Sequence, residues 1–515
     1  MYRNLFSVAG FTVLSRLSGF LRDIMLGAVL GAGSLADAFY VAFRLPNHFR
    51  AIFGEGAFNA AYVPTYARAL QQEGEAPAKA FAGQILTILL GSQLVLLALA
   101  WLFTPQLVGL LAPGFADDPQ KFAMTVTLTR ITFPYLLFVT LVTLYSGTLN
   151  ANGKFAAAAF APVLLNLGMV ACLAIAFVFP TAGHAAAAGV AFAGSLELGL
   201  VVIAAKRAGI FSGPKRPSGN RDVKRFFRTL VPAVIGSAGV QIAIFADTII
   251  ASLLPTGSVS AIYYADRIYQ LPIGVIGIAA GTVLLPEMSR RFAAGDTGGA
   301  FHAQNRTMSL TLALSAPFCV AFLLIADTIM RGVFLRGRFT EEAAGASAAV
   351  LGAYGTGLLA IVLIRSAVAS FQARGDTKTP MYVSLIAIAV NVALKVFLYK
   401  PMGAAGLALA TAVGAWINFT LLAYLAMRAG AMEPDATLGK VFIAVFGASI
   451  LLGITAIFGE APLARLAVHS PWFPQELHLA LLAGVGLLVY TVALLAALRA
   501  MRVRLSRVRP AVKVT

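Results

Sequence analysis

Fourteen apolar runs, each about the 20 residues needed to cross a hydrocarbon core roughly 30 Å thick, constrain this chain more than any other feature. They lie near 5–29, 33–65, 80–104, 122–150, 156–180, 185–206, 228–254, 258–288, 304–327, 343–373, 380–399, 403–427, 439–458 and 477–499. The expected fold is an all-α polytopic membrane protein of about 14 transmembrane helices. Composition agrees: 59% of residues are hydrophobic and only 12% are charged, about half the charged share of a soluble domain. That excludes a soluble enzyme, a disordered chain and a disulfide-stapled secreted module. Cys172 and Cys319 both sit in apolar runs, which suggests neither a disulfide nor a metal cluster. The first run is interrupted by Arg16, Arg22 and Asp23, so no cleavable leader is expected.

Net charge is +18, and its distribution gives an orientation. With the N-terminus inside, inner segments hold 25 of the 39 Lys/Arg. Outer segments hold six: Lys121, Arg331, Arg336, Arg338, Lys400 and Arg465. This asymmetry predicts both termini in the cytoplasm, with basic loops facing anionic headgroups rather than nucleic acid.

The chain also repeats itself. AFYVAFR at 38–44 matches AIYYADR at 261–267, PTYAR at 64–68 matches PEMSR at 286–290, and LNANGK at 149–154 resembles FQARGD at 371–376. KRAGI at 206–210 matches MRAGA at 427–431 at nearly the same offset. Two parallel-repeat six-helix lobes are expected, 1–210 and 229–430, joined by a basic linker at 211–228 and followed by two extra spans and a basic tail at 431–515. Two equal lobes around a cavity is a transporter plan.

Charges inside spans are costly, on the order of 2.5–3.5 kcal/mol on insertion scales, and by default mark a pathway or a pair. The first two runs hold Arg16, Arg22, Asp23, Asp37, Arg44, Arg50 and Glu55. Arg16 and Asp23 are two helical turns apart, as are Asp37 and Arg44, so each couple shares a face. Pro46 interrupts the second run before Arg50 and Glu55. The second half holds Asp247, Asp266, Arg267, Arg365 and Lys395, and the repeat pairs Arg267 with Arg44. An arginine excess suits a cationic cavity for a diphosphate, because the guanidinium fork grips phosphate oxygens and stays charged. The competing reading is structural pairing, or snorkelling of Arg16, Arg22 and Arg50 to headgroups. Arg130 and Arg365 stand alone in their spans and read as structural or interfacial.

Asn391 and Lys395 share a helix face, and a pair of Lys395 with Asp247 would satisfy both charges. The functional alternative is a cation site with Asp247, Asn391 and Thr411 as oxygen ligands, beside which the Lys395 ammonium would repel a monovalent ion. His48, beside Asn47, reads as structural, and the other histidines lack metal-ligand spacing. No Walker-type loop points to ATP, and the Gly-Ala runs at 185–194 and 403–415 suit helix packing.

SRLSGFLRD at 15–23, GAGSLADAFYVAFRLPN at 31–47 and GEGAFNAAYVP at 54–64 resemble the MurJ/MviN lipid II flippase family. APGFADDPQKF at 112–122, the stretch 257–286 and RGDTKTP at 374–380 extend the resemblance over essentially the whole chain. The family belongs to the multidrug/oligosaccharidyl-lipid/polysaccharide exporter superfamily. The resemblance implies a non-enzymatic transporter of the bacterial inner membrane, serving peptidoglycan and cell-wall biogenesis and cell shape. It would flip lipid II, the undecaprenyl-diphosphate disaccharide-pentapeptide, by alternating access, with no cofactor and no metal. Membrane lipids are expected partners and peptidoglycan synthases are candidate ones. Arg16, Arg22, Arg50 and Arg267 inherit the substrate-binding role. Asp23, Asp37, Arg44, Glu55 and Asp266 are gating or charge-pair candidates. Some relatives carry a carboxylate near position 395 for sodium; lysine here departs from that pattern. A flippase for another polyprenyl-diphosphate glycan, or a drug/cation antiporter on the same scaffold, is the alternative.

Overall fold

The structure, a computed structural model, describes residues 2–54, 57–470 and 473–503; side chains at 2–9, 49–54, 235–243 and 278 are outside that description. Each of the fourteen apolar runs is mainly helical where described, and no strand occurs among the described residues. Ten helical stretches are long and apolar enough to cross a membrane. The 5–29, 33–65 and 228–254 runs, interrupted by charges or prolines, form further helices.

The chain divides into two compact units. The first is Met1–Ser260 with Arg336–Phe339. It contains α1 (Tyr2–Leu30), α2 (Ser34–Gly54), α3 (Ala57–Gln72), α4 (Glu75–Leu102), α5 (Thr104–Leu111), α6 (Pro119–Thr132), α7 (Pro134–Ala151), α8 (Ala156–Ala174), α9 (Ala182–Arg207) and α10 (Arg221–Ser252). One end is held by an aromatic core in which Tyr62 stacks on Phe58, Tyr66 and Phe81, and Phe226 of α10 meets Phe58, Tyr62 and Phe81 edge-on. The Tyr62 hydroxyl is paired with Thr148 Oγ1 at 2.7 Å, as a buried phenol requires. Thr125, Thr129, Thr140, Thr143 and Thr148 donate to carbonyls four residues back, so α6 and α7 satisfy these hydroxyls internally. α8 and α9 approach closely: a Cβ on Gly168 would lie 2.8 Å from that of Ala193. Small residues allow that approach where lipid gives no hydrophobic drive for helix association.

The second unit, Ala261–Leu335 with Thr340–Thr515, holds most of α11 (Ser258–Pro272), then α12 (Ile278–Ala293), α13 (Thr297–Leu324), α14 (Ala326–Phe334), α15 (Glu341–Gly355), α16 (Leu358–Gln372), α17 (Lys378–Arg428), α18 (Ala436–Ala467) and α19 (Pro474–Ala500). A π-helical turn, Ile273–Gly277, joins α11 to α12 after Pro272. α17 is two spans joined at a kink, where Gly403 takes φ 56°. Its arms fold back on one another, since Gly414 packs on Asn391 and Gly406 on Leu398. α18 and α19 pack with α13 through Val441, Ala444, Val445, Ala448, Leu452 and Tyr490, whose hydroxyl donates to the Ala313 carbonyl at 2.7 Å.

Candidate functional site

The intramembrane charges fall into small groups, each anchored by its own helix. On α1, Arg16 is exposed while Arg22 and Asp23 are buried. Arg22 Nη2 and Nε donate to Asp23 Oδ1 at 2.7 and 3.1 Å, and Nη1 donates to Asn166 Oδ1 at 2.9 Å. The Asn166 amide is fixed in turn, because Nδ2 donates to the Ser15 carbonyl at 3.0 Å and to Ser18 Oγ at 3.1 Å. Asn166 on α8 therefore orients the guanidinium plane and leaves no ambiguity about which way its own amide points. Its signal in the sequence was one amide inside an otherwise apolar run.

Asp37, in the first turn of α2, is 1% exposed and accepts four hydrogen bonds. Lys121 Nζ at 2.9 Å and the Gly257 N–H at 2.8 Å reach Oδ2; the Ser260 N–H at 2.9 Å and hydroxyl at 2.8 Å reach Oδ1. Lys121 was expected in an outer segment as an orienting charge. It lies in the first turn of α6, 5% exposed, with its ammonium 4.0 Å from the Phe115 ring centroid. A desolvated ammonium needs a buried carboxylate, and Asp37 is that carboxylate.

Arg44, expected to share a face and a pairing with Asp37, is half-buried, and its Nε has no hydrogen-bond partner among the described residues. One turn on, buried His48 meets Phe245 edge-on at 5.4 Å, and its Nε2 likewise has none among them. The side chain of Arg50 and all of Glu55 lie outside the described residues. Asp247 is half-buried on α10. Glu197, a 4%-exposed carboxylate on α9, was missed although it interrupts the 185–206 run.

In the second unit, Arg267 lies over the Tyr263 ring at 4.6 Å and 3.8 Å from Asp266 Oδ2, which also accepts from Gln270. The Arg267 and Asp266 side chains are each 30% exposed, and the guanidinium face is held by aromatic contact with Tyr263. On α17, Lys395 is 4% exposed, Asn391 packs on Gly414, and Thr411 Oγ1 donates to the Leu407 carbonyl at 3.0 Å. Arg130 and Arg365 are exposed. Among the described residues no cluster of three His, Cys, Asp or Glu fits a metal ion. Chemically, these groups can hold an anion by charge and forked hydrogen bonds without making or breaking a covalent bond.

The family model of "Lipid II flippase MurJ" matches residues 26–483. This chain belongs to that family. It is a multi-pass transporter, not an enzyme. A probable lipid II flippase MurJ of Rhizobium meliloti (strain 1021) is 40% identical over 490 residues, covering 94% of this chain and 91% of the relative. Among solved structures, a lipid II flippase MurJ in an inward closed conformation superposes with a TM-score of 0.80 at 22% identity, covering 96% of this chain and 99% of its own. An inward-facing multidrug resistance MATE transporter of the MOP superfamily follows with a TM-score of 0.67 at 14% identity, covering 82% and 96%. At those identities the solved structures speak for the fold, and MurJ family membership rests on the sequence matches.

Proposed function

We propose that this chain flips lipid II from the cytoplasmic to the periplasmic leaflet of the bacterial inner membrane, with both termini cytoplasmic. The observation that carries this reading is the match to a probable MurJ flippase along 94% of the chain. In it, Arg16, Arg22, Arg50 and Arg267 bind the diphosphate headgroup, because a guanidinium keeps its charge and offers paired donors to phosphate oxygens. Arg22, already oriented by Asn166, and Arg267, held face-on by Tyr263, lose less side-chain freedom on binding than unsupported arginines would. The two lobes of the sequence repeat rock to expose the headgroup first inward, then outward, while the polyprenyl tail stays in lipid.

Complementation tests the proposal. A strain depleted of its own flippase should grow with this chain, and should display lipid II at its outer leaflet. Arg16→Ala and Arg267→Ala should each abolish both; growth with either would remove the diphosphate clamp. No growth with the unaltered chain, the protein being folded and present in the membrane, would point to another polyprenyl-diphosphate glycan.

A further inference from the structure

The segment between α9 and α10 is fastened along α4 rather than looping free. The Lys215 N–H donates to the Gly83 carbonyl at 3.1 Å and to Thr87 Oγ1 at 3.0 Å. Gln84 Nε2 donates to Ser218 Oγ at 2.9 Å, and Tyr145 OH donates to the Ser212 carbonyl at 3.0 Å. Asn220 closes the strap: Nδ2 donates to Gln84 Oε1 at 3.1 Å while Oδ1 caps α10 through the Val223 N–H at 2.9 Å. The approach demands glycine at position 83, since a Cβ there would lie 2.5 Å from the Gly213 carbonyl oxygen. Val223, Phe226 and Leu230 turn into the core of the first unit.

What remains outward is a row of cations. Lys215, Arg216, Arg221, Lys224, Arg225 and Arg228 are all exposed, and among the described residues none is in an ion pair. Asp222 is the one acid between 211 and 228. Height is set by the anchors. The apolar run of α4 begins near Ala80, so at 1.5 Å per residue Gly83 and Thr87 lie about 5 and 10 Å into it. Backbone pinned at that level lies beneath the headgroups, within reach of long basic side chains that extend to the headgroup layer rather than to bulk water.

We infer that this strap is a binding site for anionic phospholipid headgroups of the leaflet it faces. The leaflet's name rests on the orientation proposed above, but the headgroup contact does not, and lipid binding by the purified protein reads it independently of transport. Prolines 214 and 217 and the hydrogen bonds to α4 hold the cations in a fixed row, so lipid finds a preformed site.

The test titrates the full-length protein in detergent with phosphatidylglycerol, phosphatidylcholine or inorganic phosphate, counting bound molecules by native mass spectrometry. Phosphatidylglycerol should bind at least tenfold more tightly than phosphatidylcholine. Combining Lys215→Gln, Arg216→Gln, Arg221→Gln and Lys224→Gln should weaken it by more than about tenfold, since each basic residue near a membrane surface is worth about fivefold. Arg428→Gln with Lys440→Gln, exposed cations of the second unit, should leave it within about twofold. Raising salt on the unmodified protein should release phosphatidylglycerol, a readout that needs no variant. Equal retention of the two lipids, a fourfold variant that binds like the parent, or inorganic phosphate saturating the site as readily as the lipid would each overturn the assignment.

Discussion

Lys121 and Asp37, 84 residues apart in sequence, form a buried ion pair at 2.9 Å with side chains 4% and 1% exposed. Removing one member of such a pair strands the other, at a typical cost of about 3–5 kcal/mol. Asp37 keeps three other donors, from Gly257 and Ser260, which moves the expectation toward the lower end. Lys121→Met should therefore lower the thermal midpoint of the purified protein by several degrees. Adding Asp37→Asn should recover part of the loss, because no bare carboxylate is left. A Lys121→Met protein as stable as the parent would show that the pair contributes nothing.

Asn166 should matter through Arg22. Asn166→Leu removes one charge-assisted hydrogen bond, of a class worth about 1.5–3 kcal/mol, and frees the guanidinium to rotate. Lipid II headgroup binding by the variant should weaken roughly tenfold, while the protein stays folded. Asn166→Leu with unaltered binding would leave Arg22 independent of its amide neighbour.

The positions of the helices were legible because crossing the membrane demands about 20 apolar residues, a signal carried locally. The partners of the charges were not. Lys121 sits in APGFADDPQKF beside two aspartates, which reads as a polar outer segment; only the fold brings it to Asp37. Helix periodicity offered Asp37 a companion in Arg44, because spacing along one helix cannot weigh a partner on another. The strap shows the same limit: Gly83, Gln84 and Thr87 look like ordinary span residues until the linker lies across them.

Lys395 bears on ion coupling. It is 4% exposed on α17, one helical turn beyond Asn391, and a resident ammonium repels a monovalent cation strongly in a low-dielectric setting. Transport in reconstituted vesicles should proceed at rates within about twofold in sodium and potassium buffers. A strict sodium requirement would sink the idea that Lys395 takes the place of an ion.

Asp376, within RGDTKTP, accepts the N–H groups of Lys378 and Thr379 at 3.0 Å each and so caps the start of α17. Hydrogen bonds from Thr379, side chain before backbone, with smaller help from Lys378, hold this carboxyl below the ordinary aspartate range. A depressed folded value means that the cap contributes fully above the unfolded pKa, near 4, and is lost as pH falls through the folded one. Asp376→Asn mimics the protonated state. Hydrogen exchange in the first turn of α17 should be faster in this variant than in the parent from neutral pH down to about 4, after allowing for intrinsic pH dependence. The two should converge below that, as the parent's own carboxyl takes up its proton. A difference that widens on acidification would reverse the sign of the linkage and remove Asp376 as an anionic cap.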